Sequence, residues 1–219
     1  MTSLWPPHRV LASQKRRRRL ARIHGAAPAP YALTRTIAAE ADVEVLIARL
    51  GPLMREHAAR AATLIAGARQ TFDRLRAAGL RVASSTGYTR EMMQPLLAQP
   101  AEQGYLPEHL VCSGETPAGR PSPLMIYKAC AELGVWPLSR VIKVDDAVVG
   151  IAEGTAAGAF TVGVASGNTL GLSLDELQAL SASERASRLA ATRQALLDAG
   201  ADVAIDSVAD LIPALERAS

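Results

Sequence analysis

From residue 80 onward, short apolar runs of strand length alternate with stretches of helical period, and this alternation constrains the chain more than any other feature. LRVASS (80–85), HLVC (109–112), RVIKVD (140–145), FTVGV (160–164) and DVAI (202–205) read as strands. The stretches 89–103, 122–134 and 147–157, segments within 173–199 and a last piece to about residue 217 read as helices. Strand, helix, strand in succession predicts an α/β fold with a parallel sheet and right-handed crossovers. With 49% hydrophobic residues among 219, the chain can bury one such domain plus a small helical attachment.

The segment ahead of this alternation has a different character. Residues 40–79 carry apolar side chains at helical spacing, broken near Gly51-Pro52 and at Ile65-Ala66-Gly67, which predicts two or three helices. AAPAPYALT (26–34) reads as a linker. Residues 1–25 hold seven basic side chains (Arg9, Lys15, Arg16, Arg17, Arg18, Arg19 and Arg22) and no acidic one, leaving 17 basic against 21 acidic residues elsewhere. The basic run has no interleaved aromatics and no reader fold beside it, so it reads as a solvated face, with no nucleic-acid partner. No apolar stretch approaches the roughly 20 residues of a membrane span. Cys112 and Cys130 sit in apolar contexts without metal-ligand spacing and read as reduced cysteines of a cytoplasmic protein.

In open parallel sheets, ligands sit beyond the carboxyl ends of the strands, so the residues after each strand are the candidates for function. Thr86-Gly87 follow the first run, PAGRPSP (117–123) with Arg120 follows the second, Asp145-Asp146 close the third, and ASGN (165–168) follows the fourth. A hydroxyl beside backbone N–H groups, a cation and a carboxylate pair together suit a phosphoryl group with a divalent metal. For Asp146, capping of the next helix and cation binding are both open readings.

The order Thr after one strand, Arg before a helix, and carboxylates after the next strand is that of the later motifs of the haloacid dehalogenase superfamily. SSTGYTREMM (84–93), GYLPEHLVCSGETPAGRPSPLMIYKACAELGVWP (104–137) and VIKVDDAVVGIAEGTAAGAFTVGV (141–164) resemble the phosphonoacetaldehyde hydrolase family, from about His24 to the C-terminus. The resemblance implies a Rossmann-like parallel sheet of the haloacid dehalogenase type with a partial helical cap. It implies a basic irregular segment at 1–25, a cap remnant at 26–66 and a core at 67–219 that lacks the first strand. It further implies hydrolysis of the C–P bond of phosphonoacetaldehyde to acetaldehyde and phosphate, Mg²⁺ as cofactor, and a homodimer through the cap helices. Thr86 and Arg120 would be catalytic, Gly87 and Arg120 would bind substrate, and Asp146 would hold the metal. Asp145 stands where the superfamily often has glycine, and Gly150 where many relatives have an acid, so Asp145 is the candidate second metal carboxylate.

The family's reaction also uses a nucleophilic aspartate in a D-x-A-G-T motif after the first strand and a cap lysine that forms a Schiff base with the aldehyde. This sequence contains no D-x-A-G-T. Its first aspartate is Asp42, within a helical pattern, and its only lysines are Lys15, Lys128 and Lys143. The expected consequences are strands at 80–85 and 140–145 without the neighbour between them, and a chain that is inactive by itself, through a late start or as a remnant. A phosphate- or Mg²⁺-binding remnant without turnover and another phosphatase of the superfamily are the alternatives.

Overall fold

The computed structural model describes residues 62–218 together with Val45. Everything below lies within the compact unit His57–Ser219. The 1–25 segment, Lys15 and all of 26–66 except Val45 and its last five residues lie outside the described residues.

Among the described residues five strands form, all paired in parallel. Helix α1 (Ala68–Ala77) buries Thr71 and Phe72 and leads to β1 (Ala83–Ser85). Strand β2 (His109–Val111) pairs with β1 so that Ala83 faces His109 and Ser85 faces Val111. Helix α4 (Leu124–Leu133), which follows the two short helices described below, buries Met125, Ile126 and Leu133. Then β3 (Ile142–Asp145), helix α5 (Val148–Ala157) and β4 (Phe160–Val164) form a βαβ unit, with Ile142 opposite Phe160 and Asp145 opposite Gly163. Strand β5 (Val203–Ile205) adds to the far side of β4, giving the order β3-β4-β5.

The region 89–103, which reads as one helix, is three short pieces. Helix α2 (Arg90–Met93), a 3-10 turn (Gln94–Leu96) and helix α3 (Ala98–Glu102) follow one another. Pro95 removes a backbone donor and tightens the chain at the start of the 3-10 turn, so the ladder restarts rather than runs through. The segment 173–199 is likewise two helices, α6 (Leu174–Ala179) and α7 (Ala182–Asp198). Each begins with a reciprocal cap, Ser173 with Glu176 and Ser181 with Glu184, the S-x-x-E pattern that satisfies two orphan N–H groups at a helix start. Helix α8 (Leu211–Ala218) closes the chain.

The core is concentrated around β4. Val162, Val164, Ile205, Leu211, Ala214 and Leu215 form one cluster, and Ile151, Leu196 and Ala201 form a second on the face covered by α5 and α7. Between β1 and β3 the two parallel sheets are separated by a cavity of about 540 Å³. Its walls include Ala83, Ser84 and Ser85 on one side and Ile142, Lys143 and Val144 on the other. Among the described residues, β1 pairs only with β2, and β3 only with β4. Among them also, no helix is long and apolar enough to cross a membrane.

Candidate active site

The carboxyl ends of β1 and β3, which belong to separate sheets, are brought together by side chains that meet across the gap between them. Ser85, the last residue of β1, is the meeting point. Its carbonyl accepts from Arg120 Nη2 at 2.7 Å, and its hydroxyl oxygen contacts Arg120 Nη2 at 3.2 Å and Lys143 Nζ at 3.0 Å. Arg120 comes from the loop after β2 and its side chain is 17% exposed. Its Nε lies 3.2 Å from Glu153 Oε2, and its Nη1 lies 3.6 Å from Asp145 Oδ2. Lys143, on β3, places Nζ 3.0 Å from both Asp145 Oδ2 and Glu153 Oε2.

The result is a cluster of two cations and two carboxylates with almost no water contact. Glu153, on α5, is fully buried and Asp145 has a side chain only 7% exposed. Charges this deep need partners, and here each cation has both carboxylates within ion-pair range. The contacts to Glu153 are close in distance but poorly aligned, so its two oxygens lack aligned hydrogen bonds among the described residues.

The adjacent aspartates part company. Asp145 turns inward, its Oδ2 toward Lys143 and Arg120 while its Oδ1 accepts from the Ala147 N–H at 3.0 Å. Gly150 makes this possible, because a Cβ at that position would fall on the Asp145 carboxylate. Asp146 turns to the loop after β4, with Oδ2 accepting from the Asn168 N–H at 2.8 Å and its carbonyl accepting from Thr169 Oγ1 at 2.7 Å.

Thr86 continues the β1 ladder, donating its N–H to the Val111 carbonyl at 3.0 Å, while its Oγ1 accepts from the Tyr88 N–H at 3.2 Å. Gly87 beside it is exposed, with nothing within 4 Å of where a side chain would project. The turn is braced from behind. Thr89 caps α2, and Arg90 reaches the Leu110 carbonyl at 2.7 Å and Glu115 at 2.7 Å. Glu115 in turn accepts from the Cys112 N–H at 3.0 Å, which with Arg90 holds its carboxyl below the ordinary range. Burial pushes the Cys112 and Cys130 thiols up, and both are free.

Of the sequence candidates, Arg120 and Asp145 touch, Thr86 and Gly87 adjoin Ser85 by chain, and Asp146 is tied to Asn168 and Thr169. Ser85, Lys143 and Glu153 complete the cluster and escape a strand-end search. A signal existed for two of them: a lysine inside the apolar run of β3 and a single acid in the alanine- and glycine-rich α5 are both out of place unless they pair. As a metal site the described residues are incomplete. Asp145 already has protein partners on both oxygens, and no group of three His, Cys, Asp or Glu side chains among them could hold an ion.

A haloacid dehalogenase-like hydrolase profile matches residues 7–158. The phosphonoacetaldehyde hydrolase of Paraburkholderia phytofirmans is 44% identical over 177 residues, covering 80% of this chain and 66% of that protein. The enzyme of the same name from Bacillus thuringiensis is 36% identical over 179 residues, covering 81% and 68%. In three dimensions, a phosphonoacetaldehyde hydrolase-like protein from Oleispira antarctica superposes with a TM-score of 0.78 at 41% identity, covering 82% of this chain and 67% of that one. The chain spans about two thirds of the length of the curated relatives it matches, 66% for the first.

Proposed function

The chain belongs to the haloacid dehalogenase-like hydrolases and, within them, to the phosphonoacetaldehyde hydrolase family, and from that premise we propose that it supplies the phosphoryl-binding part of a site that hydrolyses phosphonoacetaldehyde. The observation that carries the reading is Arg120, held by Ser85 at the end of β1 beside the Thr86-Gly87 turn. A guanidinium anchored by Ser85 offers a phosphoryl group a positioned cation. The open space over Gly87 leaves room for an oxygen to approach the backbone.

In this reading the cavity between β1 and β3 takes the strand that bears the family's nucleophile. Lys128 and Lys143 are poor candidates for the Schiff base, since Lys128 pairs with Glu132 at 3.2 Å on the surface of α4 and Lys143 is enclosed by three acceptors. Mg²⁺ would add charge neutralisation at the phosphoryl group, with Asp146 the residue to hold it. The described residues do not complete that ion's shell, so no step is assigned to it. Two free cysteines support a cytoplasmic location. Pairing of two copies through the cap helices belongs to the same reading.

The test is phosphate release from phosphonoacetaldehyde with Mg²⁺ present. The chain by itself is expected to stay at background, because a covalent route without its nucleophile loses several orders of magnitude. A chain extended at its N-terminus with a D-x-A-G-T strand and a cap lysine is expected to turn over, and Arg120→Ala in it to lower kcat/KM by about 10²–10³. Unchanged turnover after Arg120→Ala overturns the assignment, and a borohydride-trapped adduct on Lys15 overturns the expectation that the chain by itself lacks the Schiff-base step.

A further inference from the structure

The cations that would receive a phosphoryl group are already facing a carboxylate. Arg120 and Lys143 are balanced one for one by Asp145 and Glu153, so the cluster carries no net charge toward an incoming anion. The two carboxylates are not equivalent. Glu153, on α5, is fully buried, whereas Asp145, its side chain 7% exposed, stands at the carboxyl end of β3, the edge at which a phosphoryl group would enter in this reading. The contacts of Arg120 are graded in the same direction: 2.7 Å to the Ser85 carbonyl, 3.2 Å to Glu153 and 3.6 Å from Nη1 to Asp145. Nη1 is therefore the donor farthest from its carboxylate, Nε being near Glu153 but unaligned with it, and Asp145 is the group in front of Nη1.

Resting on the phosphoryl-site reading above, we propose that Asp145 is a built-in anion that competes with the phosphoryl group for Arg120 Nη1 and Lys143, lowering the site's affinity for oxyanions. The placement depends on Gly150, whose missing Cβ leaves the space the carboxylate fills. It is a specificity-determining role rather than support of the arginine. Arg120 is anchored by the Ser85 carbonyl at 2.7 Å and lies nearer to Glu153 than to Asp145, and a carboxylate at contact range repels the dianion that must bind there.

The experiment is calorimetric titration of the full chain with inorganic phosphate at neutral pH, without metal, for the unaltered protein, Asp145→Gly and Asp145→Asn. Asn keeps the size of the side chain should Gly perturb the fold, and circular dichroism checks each variant. Both variants are expected to bind phosphate about tenfold more tightly, the effect of removing one like charge at short range. Arg120→Ala added to either variant is expected to abolish the gain. Unchanged or weaker phosphate binding in both variants overturns the proposal, weaker binding marking Asp145 as a support for Arg120. If phosphate binding is the same with and without Arg120 in every background, the phosphoryl-site reading falls as well. If phosphate binding falls with Arg120 but ignores Asp145, only the competition is wrong.

Discussion

The two sheets of this chain are held in different ways. Strand β4 is paired on both sides and four of its five residues are buried, with Val162 wholly inaccessible, while β1 is paired on one side and all three of its residues are half-buried. Around β4 the cohesion is apolar: Ile151 and Leu196 are fully buried and Leu211 nearly so. At the β1 edge it is ionic and hydrogen-bonded, through Ser85, Lys143, Arg120 and Glu153. The hydrophobic effect behind apolar packing is non-directional. A charge cluster is directional and positions one guanidinium at one point, which suits the edge where a phosphoryl group is proposed to bind. The contrast teaches that stability and site are carried by different parts of one α/β unit.

The sharpest way to break that contrast is to cut the core on each side. Leu196→Ala is expected to cost about 3 kcal/mol in denaturant unfolding, from lost transfer energy and the cavity left behind. Leu110→Ala, at a half-buried position of β2, is expected to cost less than half as much. Equal costs would show that the β1–β2 side is as tightly packed as the β4 side.

A charge removal sharpens the other half of the comparison. Glu153→Gln leaves Lys143 and Arg120 sharing one carboxylate in a site where both are largely buried, and is expected to cost about 2–3 kcal/mol. The paired replacement Lys143→Met with Glu153→Leu is expected to cost far less than the two single changes together, since it removes a balanced pair. Simple additivity would mean that the contacts to Glu153 contribute nothing specific.

The smallest effect concerns the brace behind the Thr86-Gly87 turn. The Cys112 N–H, followed by Arg90, depresses the carboxyl of Glu115 from its ordinary 4.5, although partial burial opposes them. A group whose folded pKa is lowered contributes stability that is fully present above the unfolded value and is lost as pH falls through the folded one. Glu115→Gln is therefore expected to reduce Tm at neutral pH and to lose that difference in acid. The cost should stay under about 1 kcal/mol, because Arg90 is 44% exposed and its pair with Glu115 is screened. A difference that persists unchanged into acid would mean that the ionised form of Glu115 has no part in holding the turn.

Much of the fold is legible in the sequence, since period and turn residues are local properties. FTVGV delimits β4 to the residue, and RVIKVD and DVAI locate β3 and β5 within two residues. The break of 89–103 was legible too, in Pro95, had its lost donor been weighed against the apolar period. The site is legible in part: Arg120 and Asp145 are found by looking after each strand. Ser85, Lys143 and Glu153 are not, because they lie within the elements and gain meaning only from what faces them.

Local chemistry was thus enough to determine that the chain alternates strand and helix, that its strands run parallel, and that polar groups gather after their carboxyl ends. Which of two neighbouring aspartates meets the arginine was decided by tertiary structure alone. Asp145 and Asp146 are adjacent and of one type, and although the family resemblance marks Asp146 for the metal, the local pattern does not say which of them faces the arginine. Successive side chains leave a strand in opposite directions, so the placement of β3 beside α5, the space over Gly150 and the position of Ser85 across the gap direct one carboxylate inward to Lys143 and Arg120 and the other outward to Asn168.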